Sequence, residues 1–489
     1  MIVKNATLYD PVNKKFTCRN LLIDKGVILE DDLTVDSLPN DPEVYDLTGK
    51  YLYPSFIDSH CHLVGTGKSV VLPNLETCNH RNDLIACLEK NTEHFVMLRG
   101  WDDNKLGFIP DRSFLDQTNP DNSILLVRRC GHVATVNSKC ISEFTLESMD
   151  GIDESDISKG ILLERALFLT TRKINFSPSN EIKYFEAGAE YFLNNGITAV
   201  HSEDWNIHNI ENMGLFLSTQ KNIRLSESIC IGNKQELLTW VKLRNSLKQS
   251  PFSNFTFIKL YLDGSLGGET AYLKDPYYQK NNRGTLYFSE QELTELLKIA
   301  ETESISVKIH IIGDGALEVA LNSFSHTLTP GNPLRHKLVH VQIASQDQLK
   351  KILDLNLNVA IQPRFLTSDK IIAPLKLGKE RFKEIGYPFK KMHELGIRLS
   401  FSSDSPIEKG NPFLTFQSSD EWLDRKTAFT YYTQEAAKSV FQENSLGSLV
   451  KGKLADAFIC SKDIFSIPTD HLDEIKPESV LLNGQWIDF

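Results

Sequence analysis

A chain of 489 residues with a formal net charge of −11 and 41% hydrophobic residues is long enough for one large domain plus an appendage around a sizeable buried core. The acidic balance disfavours a nucleic-acid partner, since phosphate binding leans on clustered Lys and Arg. The eight scattered cysteines form no C-x-x-C pair and residues 1–10 lack a signal-peptide pattern, while no apolar run approaches the ~20 residues that span a bilayer, so a cytoplasmic protein with no membrane partner is expected.

Residues 1–53 read as short strands and turns. Residues 2–9 alternate as a first strand, and residues 21–29 read as a hairpin across Asp24-Lys25-Gly26. The other end of the chain has the same texture, with strand–turn–strand over 447–460 and a hairpin tipped by Asn483-Gly484. Neither β segment is large enough to fold alone, so residues 1–53 and 441–489 are expected to build one small β-sandwich domain together.

Between them, residues 54–440 alternate apolar strands with amphipathic helices. Strands are expected at 56–62, 124–128, 198–201, 257–262, 307–311, 337–341, 359–362 and 399–402. Helices are expected at 180–194, 289–303, 347–353 and 388–395, with Gly196 and Gly396 where two of them stop. Strand–helix alternation repeated about eight times implies a parallel sheet, and the length suits a closed (β/α)8 barrel, the TIM-barrel fold of the α/β class. A doubly wound open sheet is the alternative, and no Gly-rich phosphate fingerprint supports it. The interval of about 65–165 is too long for one barrel unit and reads as an insertion beside the barrel mouth.

The chemistry collects at the strand ends. In Phe56-Ile57-Asp58-Ser59-His60-Cys61-His62 a strand period of two sends His60 and His62 out of one face, positioned for a single metal ion. The fourth strand offers Lys259, the fifth ends at His310, the sixth at His340, and the eighth runs into Ser403-Asp404-Ser405-Pro406. In a barrel these ends share one mouth. Four histidines and one aspartate supply nitrogen and oxygen ligands for zinc or a similar divalent ion. Taken singly, His310 and His340 read equally well as core histidines, and Lys259 as a lysine salt-bridged at the mouth.

These motifs resemble the amidohydrolase superfamily, metal-dependent hydrolases on a (β/α)8 barrel with a β-sandwich from both chain ends. Pro54-Ser55-Phe56-Ile57-Asp58-Ser59-His60-Cys61-His62 is similar to the opening motif Pro-Gly-Phe-Ile-Asp-x-His-x-His. Within the superfamily the chain looks most like the branch that includes N-substituted formamide deformylases. That similarity rests on Gly100-Trp101-Asp102, Gly131-His132 with Asn137, Lys259 with Asp263-Gly264-Ser265-Leu266-Gly267, His310-Ile311-Ile312-Gly313-Asp314, Ile361-Gln362-Pro363 and Gly452-Lys453-Leu454-Ala455-Asp456.

The resemblance implies that His60, His62, His310, His340 and Asp404 hold one or two divalent ions, zinc being expected, and that Asp404 moves the proton. It implies that a carboxylated Lys259 would join two ions. Glu164 is a competing carboxylate, read as a ligand, a substrate contact or a helix N-terminal charge. Trp101 and His132, in the insertion, are candidates for lining the pocket. The chain departs from the pattern at Ser55, at Cys130, where a thiolate ligand is conceivable, and at Val339, where a carboxylate partner for the metal site is often found. The expected activity is hydrolysis of a non-peptide carbon–nitrogen bond of a small molecule, most simply an amide. A deaminase, a cyclic-amide hydrolase or a silent binding protein on the same fold are the alternatives, and a homo-oligomer is left open.

Overall fold

The computed structural model describes residues 1–31, 43–90, 94–129, 131, 133–149, 151–152, 155–173 and 178–488, without the side chains of 164, 165, 168, 172 and 173. It divides into two compact units, Met1–Thr66 with Gly188–Phe489, and Gly67–Ala187. Among the described residues no helix is long and apolar enough to cross a membrane.

The first unit carries a sheet of eight parallel strands in the order Phe56–Cys61, Ile197–Ser202, Arg224–Cys230, Ser253–Tyr261, Ser306–Ile311, Lys337–His340, Asn358–Ile361 and Arg398–Phe401. The eighth strand returns to the first. Ser59 Oγ donates to the Phe401 carbonyl at 2.8 Å, and the Ser403 N–H donates to the Asp58 carboxylate at 3.1 and 3.2 Å. This is the expected α/β barrel. Two assignments within it change. Residues 124–128 do not enter the barrel: they belong to Ser123–Arg128, in a four-stranded sheet of the second unit with Phe95–Trp101, Val133–Val136 and Ile161–Leu163. The barrel strand that was not foreseen is Arg224–Cys230.

The reason is physical. A buried strand of either sheet is apolar on both faces, so Ile124-Leu125-Leu126-Val127 carries no mark of which sheet it joins. Arg224-Leu225-Ser226-Glu227-Ser228-Ile229-Cys230 carries four polar residues, three of them consecutive, and reads as a solvated segment. Yet Arg224 through Ile229 are all buried. Three of the four polar side chains, those of Arg224, Ser226 and Glu227, find partners within the protein instead of water. Arg224 pairs with Asp456, Ser226 Oγ donates to Asn254 Oδ1 at 3.0 Å, and Glu227 Oε1 accepts the backbone N–H groups of Asp204 at 2.7 Å and Trp205 at 3.2 Å.

Helices follow the strands close to the expected positions: Pro178–Leu193, Glu290–Thr302, Gln346–Asp354 and Phe389–Glu394. Ser289 and Ser345 cap two of them through reciprocal bonds with Glu292 and Gln348. Gly196 and Gly396 sit at φ +76° and +77°, the left-handed conformation that ends a helix.

The two chain ends form one mixed sheet, as expected of a shared β domain. Tyr51–Pro54 pairs antiparallel with Ala457–Cys460, which joins the N-terminal strands Ile2–Asp10, Lys15–Asp24 and Val27–Glu30 to the C-terminal hairpin Ser479–Leu482 and Gln485–Asp488. Both foreseen hairpin tips are two-residue turns with positive φ: Lys25-Gly26 at +48° and +80°, Asn483-Gly484 at +52° and +75°. The tips meet. A Cβ on Gly26 would lie 2.4 Å from Asn483 Oδ1.

Candidate metal centre

The first barrel strand delivers His60 and His62 to the same end of the barrel, with ring centroids 5.7 Å apart. The eighth strand delivers Asp404, whose backbone N–H donates to the His60 carbonyl at 2.9 Å. Asp404 Oδ1 lies 3.1 Å from His60 Nε2 and 3.5 Å from His62 Nε2. One ligand atom from each of the three can be chosen within 4.8 Å of the others. Tetrahedral coordination with bonds of about 2.0–2.2 Å sets neighbouring donors about 3.3–3.6 Å apart, so this spacing fits a small divalent ion.

His310 and His340 complete the wall. Their rings are 4.6 Å apart, and the His340 ring lies 5.1 Å from that of His60. They fall outside the tight triad but line the same space. His340 Nδ1 is 2.8 Å from Gln362 Oε1, and Gln362 is itself fixed because its amide donates to Ser402 Oγ at 2.9 Å and Ala360 O at 3.3 Å. That orientation makes Nδ1 the protonated nitrogen and leaves the Nε2 lone pair free. Gln362 therefore supplies the second contact that Val339, an apolar residue, does not. His310 Nε2 faces the Gly264 carbonyl at 3.2 Å, which leaves Nδ1 as its free nitrogen. Burial, with Lys259 nearby, pushes His310 down to about 3, and burial beside His310 drives His340 well below its ordinary value. Both rings are thus neutral, the form that coordinates a metal.

Burial alone would raise Asp404, but hydrogen bonds from His60 and His62 outweigh it and hold its carboxyl well below the usual range. The backbone here is strained: φ is +59° at Asp404, +76° at His340 and +48° at the β-branched Val341. Such conformations cost about 1–3 kcal/mol each and collect at functional sites. Two buried carboxylates pin the strand ends. Asp58 accepts from the backbone N–H groups of His60 and Ser403, and burial pushes it up to about 6. Asp263 accepts from Ile312 at 3.0 Å, Gly313 at 2.8 Å and Tyr272 at 3.0 Å, and burial pushes it up to about 7.

Lys259 is wholly buried and its Nζ pairs with Glu203 Oε1, with the Tyr261 ring 4.7 Å away. Glu203 was not foreseen. It follows Ile197–Ser202, two positions after His201, and repeats the period-two pattern of His60 and His62 one residue beyond the strand's end. Following that periodicity past the apolar run would have found it.

Of the remaining candidates, Trp101 and Glu164 belong to the Gly67–Ala187 unit. Trp101 is 1% exposed within the Gly67–Ala187 unit, where its indole N–H donates to the Leu126 carbonyl at 2.9 Å and its ring packs in an apolar cluster. Its burial there is accounted for by packing. Glu164 opens the helix Glu164–Lys173, and its side chain is outside the described set. Cys130 and His132 lie outside the described residues.

Comparison with known proteins agrees with this fold. A metal-dependent hydrolase of Pyrococcus horikoshii OT3, itself uncharacterized, superposes with a TM-score of 0.83 at 27% identity, over 96% of this chain and 99% of that one. The protein YtcJ of Bacillus subtilis (strain 168) is 26% identical over 490 residues, covering 91% of this chain and 90% of its own. An N-substituted formamide deformylase of Arthrobacter pascens is 22% identical over 496 residues, covering 91% and 89%. Residues 43–488 match the model of the amidohydrolase family, and this metal-dependent hydrolase barrel belongs to it.

Proposed function

We propose that the protein hydrolyses a non-peptide carbon–nitrogen bond, an amide of a small molecule, at a zinc centre held by His60, His62, His310, His340 and Asp404. The observation that carries this reading is the convergence of the His60, His62 and Asp404 ligand atoms beside the rings of His310 and His340. A bound zinc supplies a water of lowered pKa, near 7, and polarises the substrate carbonyl.

The chain's own residues do the rest. Asp404, whose charged form a bound cation would favour, accepts the proton of the attacking water on a carboxylate oxygen. It returns that proton to the departing nitrogen, as general acid–base chemistry requires. Gln362 keeps His340 in the tautomer that presents Nε2. Asp263 fixes the loops that follow the fourth and fifth strands, and so the position of His310. The two-ion form of the centre would need Lys259 carboxylated, and the one-ion form leaves it an amine.

The substrate class rests on the name of the Arthrobacter relative, which points to N-substituted formamides. The test is turnover by zinc-loaded protein of a panel of N-substituted formamides, simple amides, lactams, aminopurines and dipeptides. Formamide or amide hydrolysis is expected. Turnover confined to dipeptides or to deamination would overturn the proposal. A cytoplasmic location is part of the same reading. It is supported by the seven described cysteines, none of which is joined in a disulfide.

A further inference from the structure

We infer that Glu203 is a positioning residue: it fixes His60 as an Nε2 donor and retains Lys259 as an uncarboxylated amine, so the centre holds one ion. The inference rests on the metal-centre reading above and decides its nuclearity.

Glu203 and Lys259 are 1% and 0% exposed. Glu203 Oε1 takes the Lys259 ammonium and also accepts from the Tyr261 hydroxyl at 3.3 Å. Its other oxygen, Oε2, is buried without a hydrogen bond and lies 3.4 Å from His60 Nδ1, which is equally buried and unpartnered. The opposite nitrogen of that ring, Nε2, faces Asp404 at 3.1 Å. An imidazole that offers Nε2 to a cation carries its hydrogen on Nδ1, and a carboxylate placed there fixes both tautomer and ring angle. Glu203 Oε2 is the carboxylate oxygen in that place, 3.4 Å from the ring nitrogen.

The same carboxylate argues against a carbamate on Lys259. Carboxylation requires the ammonium to lose one proton; the free amine nitrogen then joins carbon dioxide and releases a second, so a cation becomes an anion. In this site the new anion would sit against Glu203 in a buried space, trading an ion pair for a like-charge contact. Paired as it is, Lys259 instead balances Glu203, leaving the triad's carboxylate, Asp404, to face the cation.

The experiment uses full-length protein stripped of metal and reconstituted with zinc, with and without bicarbonate, read by elemental analysis and by competition with a chromogenic chelator. About one zinc per chain is expected in both conditions. A second equivalent that appears only with bicarbonate would overturn the inference while leaving the hydrolase reading intact. Failure of the parent to bind any zinc would overturn both. Glu203→Gln should weaken zinc binding about 10–100-fold, because it strands the Lys259 charge beside the site. Lys259→Met should retain its zinc, and the double variant should recover to within a few-fold of the parent. Loss of zinc from Lys259→Met would show that Lys259 itself is a ligand, and a double variant no better than Glu203→Gln would show that the Lys259 charge is not what Glu203 offsets; either result sinks the proposal. If Glu203→Gln does not fold by circular dichroism, Lys259→Met decides alone.

Discussion

Asp404 and His60 touch twice: the Asp404 backbone N–H donates to the His60 carbonyl at 2.9 Å, and its carboxylate lies 3.1 Å from the His60 ring. The join that brings the last barrel strand to the first is therefore also the join that assembles the centre. Asp404 holds its position through the backbone, at φ +59°, so a change confined to its side chain should leave the barrel closed. Asparagine keeps the size and one oxygen but cannot take a proton. Asp404→Asn is expected to fold as the parent does and to lose about 10²–10⁴-fold in kcat, the usual range for a general acid–base group. The acid limb of the rate profile should vanish with it. Turnover within a few-fold of the parent by a zinc-loaded Asn variant would remove Asp404 from the proton step.

The triad of His60, His62 and Asp404 predicts how the metal is lost. A strong chelator should abolish activity, and added zinc should restore it. His60→Ala removes the ligand that is buried between Asp404 and Glu203, so it should lower metal content more than His62→Ala, whose side chain is 27% exposed and has water as a replacement. Elemental analysis of the two variants beside the parent checks the order. Equal metal content in all three would show that the ion sits elsewhere.

How far this was legible in the sequence depends on where each residue's partner lies. His60 and His62 declare themselves, because a strand period of two is visible within three residues. Asp404 is visible as the first carboxylate after an apolar strand. Both hairpin tips are visible, since Lys25-Gly26 and Asn483-Gly484 carry their own turn chemistry. Arg224–Cys230 was not legible as a buried strand, because what permits its burial is Asp456, 232 positions away. Glu203 was missed because it stands just past an apolar run, where a carboxylate reads as solvated. Its importance comes from Lys259 and His60, which only the closed barrel brings to it.

The pair of Arg224 and Asp456 predicts stability instead of catalysis. Both side chains are at most 2% exposed. Asp456 takes two guanidinium nitrogens of Arg224, and its Oδ1 also accepts the Asn483 N–H at 2.9 Å. Arg224 further donates to the Pro251 carbonyl at 2.9 Å. The pair thus links the third barrel strand to the terminal sheet. Removing one partner leaves a buried charge uncompensated, which costs about 3–5 kcal/mol. Asp456→Ala should lower the urea midpoint accordingly. Arg224→Leu combined with Asp456→Ala should cost less than the sum of the two single changes. Additive losses would mean that the two side chains stabilise the fold separately.

Gln362 predicts a loss that reaches the metal only through another residue. Its carbonyl oxygen faces His340 Nδ1 at 2.8 Å, and its amide nitrogen is held by Ser402 Oγ and the Ala360 carbonyl. The side chain is fully buried, so it cannot swing aside, and the His340 ring has one tautomer to adopt. Leucine at 362 fills similar space but accepts nothing. The His340 proton is then free to move to Nε2, the nitrogen that faces the centre, and the ring is free to tilt. Gln362→Leu should therefore weaken zinc binding about 10–100-fold, the range seen when a histidine ligand loses its outer partner. Gln362→Glu should behave differently, because a carboxylate still accepts from Nδ1 and makes the ring a stronger donor. Its zinc affinity should match or exceed the parent's. Chelator competition on the three proteins, with far-UV circular dichroism to confirm the fold, separates these outcomes. If Leu and Glu weaken the site equally, Gln362 acts by packing alone and the tautomer assigned to His340 is wrong.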